Sequence, residues 1–180
     1  MKLKYLLILM ILPGFIFAQS PSKFKYVGAK KCSMCHKSKK SGAQFKLWKE
    51  RKHSKSFEAL KSDKGIKFAK SKGIDDPTKA KKCLTCHAPG LLVPKNLMAK
   101  SFKPEEGVQC ETCHGAGEKY KKMSTMKNKA KAVKNGLIDF KSDDDIKAMC
   151  VKCHSGTEHT GKFDFAKAWE KVKHPTPKKK

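Results

Sequence analysis

Cys32-Ser33-Met34-Cys35-His36 is the first of four copies of one phrase. The others are Cys83-Leu84-Thr85-Cys86-His87, Cys110-Glu111-Thr112-Cys113-His114 and Cys150-Val151-Lys152-Cys153-His154. Two cysteines three residues apart, followed at once by a histidine, form the attachment site of a c-type haem. The two thiols face the same way from one turn and add to the two vinyl groups of one porphyrin, and the histidine reaches the iron as its proximal ligand. All eight cysteines of the chain lie in these phrases. The cofactor expectation is therefore four haem c groups with iron. Cys32, Cys35, Cys83, Cys86, Cys110, Cys113, Cys150 and Cys153 would attach them, and His36, His87, His114 and His154 would ligate the metal.

Other uses of cysteine fit less well. Four disulfides would leave the histidine after each pair without a purpose. Two four-cysteine zinc sites would do the same. A thioredoxin-like redox motif occurs once, inside a βαβ pattern that this chain lacks.

Lys2 and Lys4 precede an apolar run from Tyr5 to Phe17, which gives way to Ala18-Gln19-Ser20. That order reads as a secretory signal peptide over 1–18, too short to span a bilayer comfortably. A haem-binding domain over 19–174 and a disordered basic tail over 175–180 complete the division. Export agrees with haem attachment, which takes place outside the bacterial cytoplasm, so the expected location is the periplasm.

Hydrophobic residues make up 38% of the chain, which is lean for its length. Buried porphyrins would supply the missing apolar surface. The formal charge is +26, and Arg51 is the only arginine among the cations. Nucleic acid is the usual partner of such a charge, but the export signal and the absence of a reader motif exclude it. A solvated lysine surface serves solubility. It also steers the chain toward an acidic redox partner or the surface of an anionic membrane.

The fold expected is mainly α: a small multihaem cytochrome c, with helices and loops wrapped around four covalently bound haems. Ala43 to Lys61 reads as one helix, with Phe45, His53, Phe57 and Leu60 on one stripe at about 100° per residue. Ser62 to Lys82 reads as loop with one short helix. Gly115-Ala116-Gly117 would let the backbone press against a porphyrin. Met123, Met126, Ala130 and Val133 are spaced as the apolar face of a single helix closed by Asn135-Gly136. Ser142 and Asp145 form a capping box at the start of a helix that runs into the fourth phrase. Phe165, Trp169 and Val172 line one face of a last helix that stops before His174-Pro175. No strand of consequence is expected.

Four irons have eight axial positions, and the chain has seven histidines. His53, His159 and His174 are left for the four distal positions, so at least one iron takes methionine, another group, water or nothing. His53 lies on an apolar stripe and His174 at a helix end before proline, and both are taken as iron ligands. His159 sits in a polar loop and reads as a surface imidazole. Met123 and Met126 are the candidate thioether ligands, although methionines at helical spacing are commonly packing residues.

Trp48 and His53 after the first phrase, Gly107-Val108-Gln109-Cys110-Glu111-Thr112-Cys113-His114-Gly115, and Phe163-Asp164-Phe165 leading to Trp169 and His174-Pro175 together resemble the tetrahaem cytochrome c-554 family. Its best-known members carry electrons from hydroxylamine oxidation in nitrifying bacteria. The resemblance implies a mostly helical fold around closely packed haems. It implies His53 as distal ligand to the fourth haem, opposite His154, and His174 to the third, opposite His114. It also implies a five-coordinate second haem at Cys83, Cys86 and His87. The family's histidine for the first haem has no counterpart in Tyr120 to Met126, which leaves Met123, Met126, His159 or no ligand at that iron.

The function read from this is periplasmic electron transfer between donor and acceptor proteins with acidic docking surfaces. No set of catalytic acids and bases stands out, so an electron carrier is preferred to an enzyme. The alternative is a haem enzyme that acts on a small nitrogen oxide or a peroxide at an open iron. Peripheral association with an anionic membrane is the other use of the charge.

Overall fold

Four helices end on the histidine of a Cys-x-x-Cys-His phrase, and the rest of the fold brings those four ends together. The computed structural model describes residues 22–155 and 161–176. The expected leader over 1–18, His159 and all of the basic tail except Pro175 and Thr176 lie outside the described residues. The helices are α1 (Ala29–His36), α2 (Gln44–Glu50), α3 (Ser56–Lys61), α4 (Asp63–Ser71), α5 (Lys81–His87), α6 (Cys110–His114), α7 (Met123–Met126), α8 (Lys129–Lys134), α9 (Asp143–His154) and α10 (Phe165–Val172). The phrases thus close α1, α5, α6 and α9. The mainly helical expectation holds, and pairing between extended segments among the described residues is limited to an isolated bridge between Tyr26 and Met98.

Local signals explain several of these bounds. Ser142 accepts from the backbone N–H of Asp145, and the Asp145 carboxylate accepts from the Ser142 N–H, so the capping box opens α9 as its sequence predicts. Asp164 caps α10 through the Lys167 N–H. Gly115 stops α6 at a positive φ of 80°, which glycine adopts without the clash of a Cβ.

Two helices expected to be continuous are broken. The run from Ala43 to Lys61 divides into α2, a 3₁₀ turn over Lys52–Lys55 and α3, because Arg51 is extended. The break leaves the His53 carbonyl free to accept the Val108 N–H at 2.9 Å. The stretch from Met123 to Val133 divides into α7 and α8, because Asn128 caps α8 by accepting the Lys131 N–H. Met123 and Val133 consequently lie outside, 63% and 40% exposed, while Thr125 and Ala132 are the buried residues.

The apolar core of the polypeptide is thin. Among the described residues its one cluster joins Phe57 and Leu60 of α3 to Leu84 and Ala88 at α5, with Cys83 and Leu91 against it. No helix among the described residues is long and apolar enough to cross a membrane.

Candidate functional site

In a helix at about 100° per residue, the first cysteine, the second cysteine and the histidine of a phrase fall on one face, and the third residue points the opposite way. The four phrase helices turn those faces toward one another. The Cys32 and Cys110 thiols hydrogen-bond, which pushes Cys32 up and holds Cys110 down. Cys153 is pushed up to about 12 by burial and by Cys86, and Cys113 up to about 11 by burial and by Cys150. The first site therefore adjoins the third, the second adjoins the fourth, and the third adjoins the fourth. All eight cysteines are free of disulfides.

The histidines outside the phrases come to those inside them. The rings of His53 and His154 have centres 6.3 Å apart, and those of His114 and His174 are 5.9 Å apart. Two imidazoles on opposite sides of one metal put each nitrogen about 2 Å from it and each ring centre about 1 Å beyond, so their centres stand about 6 Å apart. Both pairs fit an iron between them. Phe163 stacks on His154 at 5.0 Å, and Phe140 meets His114 edge-on at 6.3 Å. His36 lies close enough to His114 and His174 to act on both electrostatically.

The ring nitrogens away from the metal face are also occupied. His87 Nδ1 is 2.9 Å from the carbonyl oxygen of Ser56. A carbonyl can only accept, so Nδ1 carries the proton and Nε2 keeps its lone pair for a metal. His36 Nδ1 stands 3.3 Å from Gln44 Oε1 in the same arrangement. Ser56 Oγ donates to the carbonyl of His87 at 2.7 Å and accepts the Val108 N–H at 3.1 Å, joining α3, the second site and the approach to the third. Trp48 Nε1 donates to the Val108 carbonyl at 2.8 Å, so Trp48 and His53 hold the same residue from its two sides.

Arg51 carries a role that sequence reasoning missed. Its guanidinium donates to the carbonyls of Val172 and Lys173 at 2.6 and 2.8 Å. A fixed cation there satisfies the open carbonyls at the end of α10 and complements its dipole. Gln44 Nε2 donates to the Pro175 carbonyl at 2.8 Å. Together they hold both flanks of His174. Glu111, between the two cysteines of the third phrase, was missed as well. It is 2% exposed, and its carboxylate accepts the N–H groups of Val27, Gly28 and Gly117. A Cβ at Gly117 would meet Glu111 Oε1 at 3.0 Å and Val27 at 3.1 Å, so glycine there makes room for the Glu111 carboxylate.

Met123 and Met126, the candidate thioether ligands, fall on α7, where Met123 faces solvent and Met126 is half-buried.

His53, His114 and His174 are all held below the ordinary imidazole value of 6.5, with burial the main cause at each, and His114 falls to about 4. Neutral rings therefore contribute stability that is fully present above 6.5 and is lost as pH falls, for His114 through about 4. A metal favours the same neutral form.

Residues 31–115, which contain the first three phrases, match the family model described as Cytochrome c554 and c-prime. The chain is 33% identical over 144 residues to Cytochrome c-554 of Nitrosomonas europaea, across 74% of its own length and 59% of that protein's. It thus spans less than two thirds of this relative. No solved structure matches it. The shared phrases, and an identity that covers most of the chain, place it in the cytochrome c-554 family.

Proposed function

We propose that the chain is a periplasmic electron carrier that holds four c-type haems and exchanges electrons with acidic partner proteins. The observation that carries this reading is the two pairs of neighbouring histidine rings, His53 with His154 and His114 with His174, each at a separation that would suit two ligands of one iron. Each haem, once bound, supplies a one-electron iron couple whose potential follows its axial ligands, burial and nearby charge. The eight cysteines attach the porphyrins. His36, His87, His114 and His154 are the proximal ligands, with His53 distal at the fourth site and His174 at the third. Ser56 and Gln44 hold the Nδ1 protons of His87 and His36, so that each ring offers Nε2. Arg51 and Gln44 keep His174 in place. The apolar leader at the start of the sequence supports export.

A pyridine haemochrome assay is expected to give four haems per chain, and fewer would defeat the reading. His53→Ala and His174→Ala are each expected to convert one haem from low to high spin in the electron paramagnetic resonance spectrum of the oxidised protein. An unchanged spectrum would remove that histidine from the ligand set.

The ligand count favours a second reading. Seven histidines cannot fill eight axial positions. An open iron, with the haem of His87 the first candidate, would bind nitric oxide, another nitrogen oxide or a peroxide, and the protein would then be an enzyme. Turnover of such a compound by the purified protein distinguishes this reading from a carrier.

A further inference from the structure

The third residue of each phrase points away from the porphyrin face, and three of the four phrases place Thr85, Thr112 or Lys152 there. The first places Met34, which at 77% exposure is the most exposed large hydrophobic side chain among the described residues. Its neighbour Cys35 is the one exposed cysteine of the eight, so polypeptide leaves this edge of the first site open. Lys30, Lys31 and Lys37 stand four and three residues before Met34 and three after it. On a helix those positions surround it on the same outward face. All three are exposed, and no ion pair among the described residues engages them.

Along the sequence, the charge that flanks this face is of one sign. From Ser20 to Lys49 the sequence contains no aspartate or glutamate, whereas Asp75 and Asp76 precede the second phrase, Glu105 and Glu106 the third, and Asp143 to Asp145 the fourth. An apolar centre within a cationic rim, at an open edge of a cofactor site, is the arrangement a brief redox encounter requires. Such contacts bury less than about 1,200 Å². In them the rim charges set the encounter rate, and a small desolvated centre sets the lifetime.

We propose that the outward face of α1, centred on Met34 and ringed by Lys30, Lys31 and Lys37, is the docking surface for an acidic electron-transfer protein. This makes the site of His36 the one at which electrons pass between this chain and that partner. The proposal rests on the carrier reading above. An anionic bilayer fits less well, because a helix that lies on a membrane buries a whole apolar face, and α1 presents one apolar side chain outward.

The test uses the fully matured protein with an acidic [2Fe–2S] ferredoxin as probe. The dissociation constant is measured by titration at low and at physiological ionic strength, and the electron-transfer rate by stopped flow. The set Lys30→Glu, Lys31→Glu, Lys37→Glu is expected to weaken binding at least about tenfold at low salt and to flatten its salt dependence. Met34→Asp alone is expected to weaken it about tenfold at both ionic strengths. Lys64→Glu, Lys67→Glu, Lys70→Glu on α4 makes the same change in net charge and is expected to alter binding less than about threefold.

Equal weakening by the two charge sets, or unchanged binding by Met34→Asp, would overturn the proposal. Co-sedimentation with phosphatidylglycerol vesicles that Met34→Asp abolishes would assign the face to a membrane and overturn it too. Failure of the carrier reading looks different: the protein reduced by dithionite would pass no electron to any acceptor, while the pattern of binding constants would stand.

Discussion

A chain produced without haem attachment is expected to show a coil-like far-ultraviolet dichroism spectrum and no cooperative thermal transition. The polypeptide's own core explains why. Its buried hydrophobic residues number eleven among the described residues, and five are the alanines Ala29, Ala69, Ala88, Ala116 and Ala132. Among these residues no large side chain is fully buried, and the single cluster, around Phe57, Leu60 and Leu84, lies at the second site. Each ordered residue costs about 1–2 kcal/mol of backbone entropy, and apolar burial is the main term that can offset it. The helices cannot supply the difference. Most have eight residues or fewer, below the length at which an isolated helix is stable in water. Four porphyrins would fill the space between the phrase helices and tie distant segments covalently and through iron. Replacing Cys83 and Cys86 by serine, at the site with the one apolar cluster, is expected to damage folding least among the four sites. A cooperative melt from the haem-free chain, matched by the native helical spectrum, would refute this account.

What could be read along the chain, and what could not, divides by range. The four phrases, the Ser142 capping box and the Gly136 stop are local patterns, and each stands in the structure where the spacing places it. The separation of α2 from α3 could not be read, because the stripe of Phe45, His53, Phe57 and Leu60 keeps its phase through one turn of 3₁₀ helix. The break goes with a bond from a distant part of the chain, in which the Val108 N–H donates to the His53 carbonyl. Asn128, inside the stretch expected to form one helix, is the cap of a second. The pairs His53 with His154 and His174 with His114 followed from family resemblance, not from periodicity. Arg51 and Glu111 were out of reach for the same reason as Val108. Arg51 meets backbone 121 and 122 residues away, and Glu111 meets backbone 84 and 83 residues away. In a chain whose own apolar core is this thin, long-range polar contacts to backbone do much of the positioning that apolar periodicity would otherwise reveal.

Glu111→Ala is expected to destabilise the mature protein by about 3–5 kcal/mol, at the upper end for a single substitution. The carboxylate takes the Val27 N–H on both oxygens at 2.9 and 3.0 Å, the Gly28 N–H at 2.7 Å and the Gly117 N–H at 2.6 Å. Alanine would leave three buried donors without an acceptor, each at a cost of about 1–3 kcal/mol. Burial is the main influence on this group and raises it above the usual carboxyl value, against the three backbone donors, which hold it down. Raised in the fold, it contributes stability that is present below 4.5 and is lost as pH rises through its folded value. The penalty of Glu111→Ala is therefore expected to be larger in mild acid than at neutral pH. Position makes the residue more than a local brace. Val27 and Gly28 lead directly into α1 and Cys32, Gly117 follows the third phrase, and Glu111 itself separates Cys110 from Cys113. One side chain thus fixes the first site against the third, where the Cys32 and Cys110 thiols touch. The substitution should accordingly disturb two of the four haem signals in a paramagnetic nuclear magnetic resonance spectrum and spare those of the second and fourth sites. Chemical denaturation measures the first effect. A loss below about 0.5 kcal/mol, as for a solvated surface acid, or equal disturbance of all four haems, would show that Glu111 does not join the two sites.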